Sequence, residues 1–321
     1  MKKFCALTAV ILLLACCLPA FAEYYTTETP APIPVIAKED LTPTPEGIKH
    51  YMLICCDDWE VNPDKIDRWT DGLVLVTVDT IAQRVMLTSF IRDMLIQRPD
   101  GKFGRINNIV RLFGQNRAAV EMLVDTISTH FDIPIEKYIV VHFGQVERIV
   151  DAVGGVSVYL KAREAARLQS FHLGAASTEP ALGGAGTYRL AGHAAVLYMR
   201  IRKVATVSGA TQDLGRTERV RTVLTTIADS LKDVTYDEAM DLMDAVLNNI
   251  TMTNMTTADF MEALTIAMNL RGTPVESIRM PIDGTYKLLP VSGMATQQID
   301  YPENREALHD FLFGTSFAVI D

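Results

Sequence analysis

Within residues 133–160, IPIEKYIVVHFGQVERIVDAVGGVSVYL, the chain changes its hydrophobic period twice. Tyr138 to Phe143 is apolar and rich in β-branched residues, which predicts a buried strand. Gly144 to Val153 takes up helical spacing and predicts a short amphipathic helix. Gly154-Gly155 stops that helix, and Val156 to Leu160 returns to a strand. Strand, helix and strand in so short a space point to an α/β unit.

The same pattern continues on both sides. Residues 49–56, Gly72 to Asp79 and Arg84 to Phe90 read as three strands, the last two joined by a short turn. Arg105 to Phe113 and Arg117 to Phe131 read as helices, the second with Val120, Leu123, Val124 and Ile127 on one face. Residues 170–187 carry Ser, Thr and glycines and read as a loop. Leu190 to Tyr198 predicts a helix feeding an extended Met199 to Ile201. Leu214 to Leu231, Tyr236 to Leu247 and Thr256 to Leu270 predict further helices. Val275 to Met280 and Gly284 to Pro290 read as a late β pair, and Glu303 to Leu312 as a closing helix. Strands alternating with helices indicate an α/β sandwich around one mixed sheet.

Residues 1–22 read as a secretory signal: Lys2 and Lys3, the apolar run Ala6 to Leu18, then Ala20-Phe21-Ala22 before Glu23. A competing reading is a lipoprotein signal, because Leu13-Leu14-Ala15-Cys16 resembles a lipobox. Either places the protein outside the cytoplasm. Residues 23–47 hold Pro30, Pro32, Pro34, Pro43 and Pro45 among Thr, Ala and Glu, which predicts an extended spacer. The folded part is then 48–321.

The whole chain has 30 Lys+Arg and 39 Asp+Glu; losing Lys2 and Lys3 leaves 28 against 39, a net charge of −11. That balance argues against nucleic acid as a partner. Of five cysteines, cleavage leaves the neighbours Cys55 and Cys56, which are poorly placed to bridge and read as strand residues.

Against this acidic background, Arg200, Arg202, Lys203, Arg216, Arg219 and Arg221 crowd into YMRIRK and LGRTERVRTVL. Arg200 and Arg202 share a face if extended, and Arg216 and Arg219 share one on a helix. Converging guanidinium forks suit a phosphate or pyrophosphate; the bland alternative is a solvated basic face. Asp57 and Asp58 follow the first strand and Asp71 precedes the second. If these strands pair antiparallel, the carboxylates meet at one edge and offer hard oxygen ligands for Mg²⁺. Asp beside a strand is also ordinary turn chemistry, the simpler account of Asp64 and Asp67. Arg92 and Asp93 close the third strand, and Asn107 and Asn108 follow on the next element.

Taken in order, these motifs resemble the LytR-CpsA-Psr family of bacterial cell-wall enzymes, over about 49–270. LICCDD resembles its opening strand and a metal-binding aspartate at Asp57. WTDGLVLVTVD resembles the segment with a second metal-binding aspartate, here Asp71. MLTSFIRD resembles the strand end whose arginine, here Arg92, binds phosphate, with Asp93 beside it as a catalytic candidate. INNIVRLFG resembles the stretch bearing Asn107. The 133–160 segment is the most specific match. LAGHAAVLYMRIRK and DLGRTERV resemble the segments bearing Arg200, Arg202, Arg216 and Arg219 as phosphate ligands.

The resemblance implies a three-layer α/β/α sandwich with a hydrophobic pocket for a polyprenyl tail. It implies a Mg²⁺-dependent phosphotransferase that moves a glycopolymer from an undecaprenyl-pyrophosphate carrier onto peptidoglycan. The protein would meet the membrane surface through its lipid substrate. Two departures stand out: Trp69 occupies a position that is usually arginine, and Ile91 replaces a proline. Two further functions compete, a polyprenyl-phosphate-binding module without transfer and a pyrophosphate hydrolase on the same site. An assay with lipid-linked oligosaccharide, peptidoglycan and Mg²⁺ separates the three.

Overall fold

The computed structural model describes residues 29–59, 66, 68–174, 176–291 and 293–314. The signal segment, Cys16, Asp64 and Asp67 lie outside them.

A six-stranded mixed sheet forms the middle layer. Strand β1 (Ile48–Cys56) pairs antiparallel with β2 (Thr70–Asp79), which pairs antiparallel with β3 (Arg84–Phe90). After two short strands, β4 (Leu95–Gln97) and β5 (Phe103–Arg105), come helices α1 (Ile109–Leu112) and α2 (Arg117–Phe131). Strand β6 (Lys137–His142) then runs parallel to β1 on its other side, and α3 (Phe143–Ala152) leaves its end. The predicted strand–helix–strand unit is thus present, but its last strand, β7 (Val156–Leu160), joins a separate three-stranded sheet with β8 (Thr178–Glu179) and β9 (Gly186–Leu190). Helices α4 (Ala162–Gln169) and α5 (Gly192–Met199) pack on that small sheet with a core of their own, built on Val156, Val158, Leu160, Leu190 and Ala195.

Helices α6 (Gln212–Ser230), α7 (Tyr236–Leu247) and α8 (Thr257–Asn269) follow, with a two-residue strand β10 (Met252–Thr253) pairing with β6. Strand β11 (Val275–Met280) does not pair with the segment after it, as its sequence suggested. It closes the main sheet parallel to β3, while β12 (Tyr286–Val291) pairs with β13 (Met294–Ile299). Sequence proximity favours a hairpin, but the open edge of β3 offers a full ladder. Helix α9 (Tyr301–Phe313) ends the described chain.

Period-two alternation divides the sheet's residues between two layers. Met52, Ile54, Leu73, Leu75, Tyr138 and Val140 point into the main core with α2 and α9. The alternate residues Leu53, Cys55, Val74 and Val141 point the other way and form the floor of a cavity roofed by α3, α5 and α6. Gly72 allows this floor to close, since a Cβ there would lie 2.8 Å from that of Cys55. Gly192 does the same for the roof: a Cβ would sit 2.1 Å from the Glu147 carbonyl, so only glycine lets α5 close on α3. Cys55 and Cys56 are both free, Cys56 buried in the core and Cys55 in the cavity floor.

The described part of the proline-rich segment is extended, yet it does not stand off as a spacer. Ile36 N–H donates to Thr129 O, the Thr42 N–H and hydroxyl both donate to Asp132, and Arg305 donates to Pro34 O. Ile33 packs against the main core. Prolines remove donors but leave carbonyls and apolar rings, and α2 and α9 supply partners for both.

Candidate functional site

The cavity under α6 holds about 260 Å³. Its deep end is apolar, with Val196, Val220, Val223, Leu224 and Ile227 facing Leu53 and Val74; its mouth carries Asp57, Asp71, Arg92, Arg200, Arg202 and Arg216. The mouth forms where β1 ends and β2 begins. Antiparallel pairing brings Asp57 N–H to Trp69 O at 2.9 Å, and the register slips between Cys55 and Cys56 so that Asp71 falls in the irregularity. A bulge of this kind re-aims a side chain.

Asp71 is the hub of the mouth. Its Oδ2 accepts from both Arg92 and Arg216, the latter at 2.9 Å, and Arg216 also donates to the Asp71 carbonyl at 3.1 Å. Asn107 Nδ2 donates to Oδ1 at 2.9 Å, from a 3-10 turn at Ile106–Asn108 that Thr70 ties down through Asn107 O. Burial pushes the Asp71 carboxyl up, but Arg216, Arg92 and the Asn107 bond outweigh it and hold it below the usual carboxylate range. Asp57 stands more open and pairs with Arg200 at 3.3 Å.

Behind this front row lies a carboxylate to which the sequence reading assigned no role. Asp213, in the first turn of α6, receives Arg202 at 2.9 Å, Arg92 at 3.2 Å and Arg216 at 3.5 Å. Its spacing, three residues before Arg216, was the available signal. Asp93 does not line the cavity. It pairs with Arg105 at 3.0 Å and lies 3.8 Å from Arg92, which it helps to hold. Burial, then the Asp213 hydrogen bond, pushes the Asp93 carboxyl up to about 6.

Four of the expected arginines, Arg92, Arg200, Arg202 and Arg216, therefore gather with Asn107 and the metal candidates, but Arg219 does not join them. Arg219 is 0% exposed and makes two bonds to Glu164 Oε1, one to Ile201 O and one to Val204 O. It fastens the loop that bears Arg202 instead of facing the cavity. Nor are Arg200 and Arg202 on a strand. Arg200 caps α5 in helical geometry, and the two arginines diverge to Asp57 and Asp213. Trp69 carries the guanidinium of Arg111 at 4.3 Å over its ring, and Arg68 turns to Asp58.

Two carboxylates in one cavity wall fit a divalent ion that completes its shell with phosphate oxygens and water. Asn107 Oδ1, buried beside Asp71, accepts no hydrogen bond from the described residues and is a third hard oxygen at this wall. Among the described residues no cluster of three or more His, Cys, Asp or Glu offers a closed, all-protein metal cage. The Cys55 thiol, pushed up to about 12 by burial, is no thiolate ligand or nucleophile.

The profile described as the LytR_cpsA_psr family matches residues 48–309. Biofilm regulatory protein A of Streptococcus mutans is 26% identical over 170 residues, 51% of this chain and 40% of the relative. The polyisoprenyl-teichoic acid–peptidoglycan teichoic acid transferase TagU of Bacillus licheniformis is 26% identical over 190 residues, 59% and 55% of the two. The chain thus spans about half the length of these relatives. A solved structure described as TagT bound to LIIa-WTA superposes with a TM-score of 0.65 at 21% identity, over 87% of this chain and 98% of that one. TagV of B. subtilis gives 0.62 at 19%, over 84% and 98%. At those identities the likeness establishes the fold, the α/β architecture that the sequence predicted.

Proposed function

Because the chain belongs to the LytR-CpsA-Psr family, we propose that it is a Mg²⁺-dependent transferase moving a glycopolymer from a polyprenyl-pyrophosphate carrier, undecaprenyl in class, onto a hydroxyl of peptidoglycan. The observation that carries this reading is the cavity itself: guanidiniums and carboxylates at the mouth, apolar walls behind. A pyrophosphate with a long hydrocarbon tail has that same division of polarity. A second apolar cavity, about 180 Å³ between α3, α6, α7 and α8, shares Ile227 with the first and extends the path available to a tail.

In this reading Arg92, Arg200, Arg202 and Arg216 grip the two phosphates. The acceptor hydroxyl oxygen forms a bond to the sugar-linked phosphorus as the bridging P–O bond breaks; polyprenyl phosphate leaves, and the hydroxyl proton passes to solvent or to the leaving phosphate. Charge grows on the bridging oxygen, and guanidiniums set in a low-dielectric cavity stabilise it without reorganising. Asp57 and Asp71 would hold Mg²⁺, which supplies further neutralisation of the phosphate charge. Asp213 and Asp93 keep the arginines spaced. The teichoic acid named for the TagU relatives suggests an anionic polymer as cargo.

Labelled lipid-linked oligosaccharide, peptidoglycan and Mg²⁺ test this directly. Label in the wall fraction, lost on chelation and in Asp71→Ala, is the expected result. Binding without transfer would instead support the carrier-binding reading, which Trp69 at the usual arginine position favours; release of free phosphorylated sugar would indicate hydrolysis.

A further inference from the structure

Beside the charged mouth stands a group of side chains that the transfer reading leaves unused. Trp59 follows Asp57 and Asp58 at the end of β1 and remains 36% exposed. Its backbone N–H donates to Asp58 Oδ1 at 2.8 Å. Its carbonyl lies close over Gly144, where a Cβ would stand 3.0 Å away. The indole meets Phe143 edge-on, with centroids 5.4 Å apart at 62°, and His193 at 5.3 Å. His193 pairs with Glu147 across α3 and α5. On the side toward the cavity, Arg200 lies 4.7 Å from the Phe143 ring and 5.8 Å from the Trp59 ring. Arg200 is also the partner of Asp57. The aromatic group is therefore continuous with the anion site through one guanidinium.

At 36% exposure the indole keeps part of its surface open to solvent beside the cavity. What the ring offers is a π face with a polar rim, His193 and Glu147 as donor and acceptor. A pyranose has the matching form: axial C–H groups make one face apolar, and hydroxyls ring its edge.

We infer that Trp59, seated on Phe143 and flanked by His193 and Glu147, is a sugar-stacking platform that holds a pyranose of the glycan next to the reacting phosphate. This deepens the proposed transfer and rests on it for the choice of glycan. Both the donor polymer and the peptidoglycan acceptor present such a ring, so the experiment separates them.

The chain has two tryptophans, so Trp69→Phe leaves Trp59 as the only indole and makes its emission a direct reporter. Three probes are titrated: a peptide-free peptidoglycan tetrasaccharide, a lipid-free disaccharide pyrophosphate, and inorganic pyrophosphate. A saturable change with the tetrasaccharide assigns the platform to the acceptor. A change with the disaccharide pyrophosphate larger than that with pyrophosphate alone assigns it to the donor. If neither sugar alters the emission beyond what pyrophosphate does, the platform is only packing and the inference falls. Calorimetry on Trp59→Leu, in the chain that retains Trp69, adds a second criterion. Sugar binding should weaken roughly three- to tenfold, the scale of one good aromatic contact, with pyrophosphate binding and melting temperature unchanged and Trp59→Phe retaining most affinity. A leucine variant that binds sugar like the parent also overturns it. Sugar binding is read here without turnover, so an inactive chain can still confirm the platform, and transfer that ignores Trp59 would sink it while leaving the transferase reading intact.

Discussion

Arg216 and Arg219 stand three residues apart on α6, and the two faces they occupy have opposite character. Arg216 crosses the cavity mouth to Asp71 and keeps an edge open to the cavity; Arg219 is sealed inside, with Glu164, Ile201 O and Val204 O absorbing its donors. A spacing of three turns a helical residue only about 60° from its neighbour. That is enough here, because α6 lies on the boundary between the main sheet's cavity and the core of the small sheet. The same side chain binds on one face and clamps on the other, and the carboxylate opposite decides which. Asp71 shares a cavity wall with other charged groups, whereas Glu164 is itself fully buried.

The comparison breaks most visibly at Glu164. Replacing it with alanine strands a buried guanidinium, and we expect a loss of about 3–5 kcal/mol in denaturant unfolding. A loss below about 1 kcal/mol would mean that the pair is not a clamp. Arg216→Lys should show the reverse profile. It keeps charge but loses the paired fork, so pyrophosphate affinity should drop by roughly tenfold while the unfolding midpoint barely moves. Arg202→Lys should weaken binding similarly, and the double variant should be less than additive because both arginines lean on Asp213. Full additivity in calorimetry would separate the two sites.

A change far from both faces serves as the control. A chain beginning at Gly47 loses the Ile36, Thr42 and Pro34 contacts on α2 and α9, and we expect it to be less stable by about 1–3 kcal/mol. Its pyrophosphate affinity should not change. An unaltered melting temperature would return the segment to the status of a spacer.

The smallest effect concerns pH. Asp93 is raised in the folded chain from 3.8 to about 6, chiefly by burial and then by its bond to Asp213. The fold therefore holds that proton more tightly than the unfolded chain does. Stability from this group is present at low pH and is lost as pH rises from about 3.8 to about 6. Asp71 runs the other way: its contribution is present above the ordinary carboxylate range and lost as pH falls through its depressed value. Asp93→Asn should flatten the slope of unfolding free energy between pH 4 and 6, taken as rough limits of that window. A slope that survives the substitution would place the titration elsewhere.

Local periodicity was enough to read most elements of this chain. Apolar runs over 49–56 and 72–79 and helical spacing over 117–131 each reflect preferences within a segment, and the elements appear where expected. The meeting of Asp57 and Asp71 was also legible, because antiparallel pairing of neighbouring strands brings one strand's end to the other's start. Composition sets the proline-rich segment extended, but whether it rests on the domain depends on partners more than eighty residues away. The edge sought by β11, the triple arginine contact at Asp213 and the burial of Arg219 likewise depend on partners remote in sequence. A motif can specify that an arginine is present. Only the packing of α6 between two cores sets the dielectric and the counter-charge around it, and these determine whether that arginine meets a phosphate or a buried glutamate.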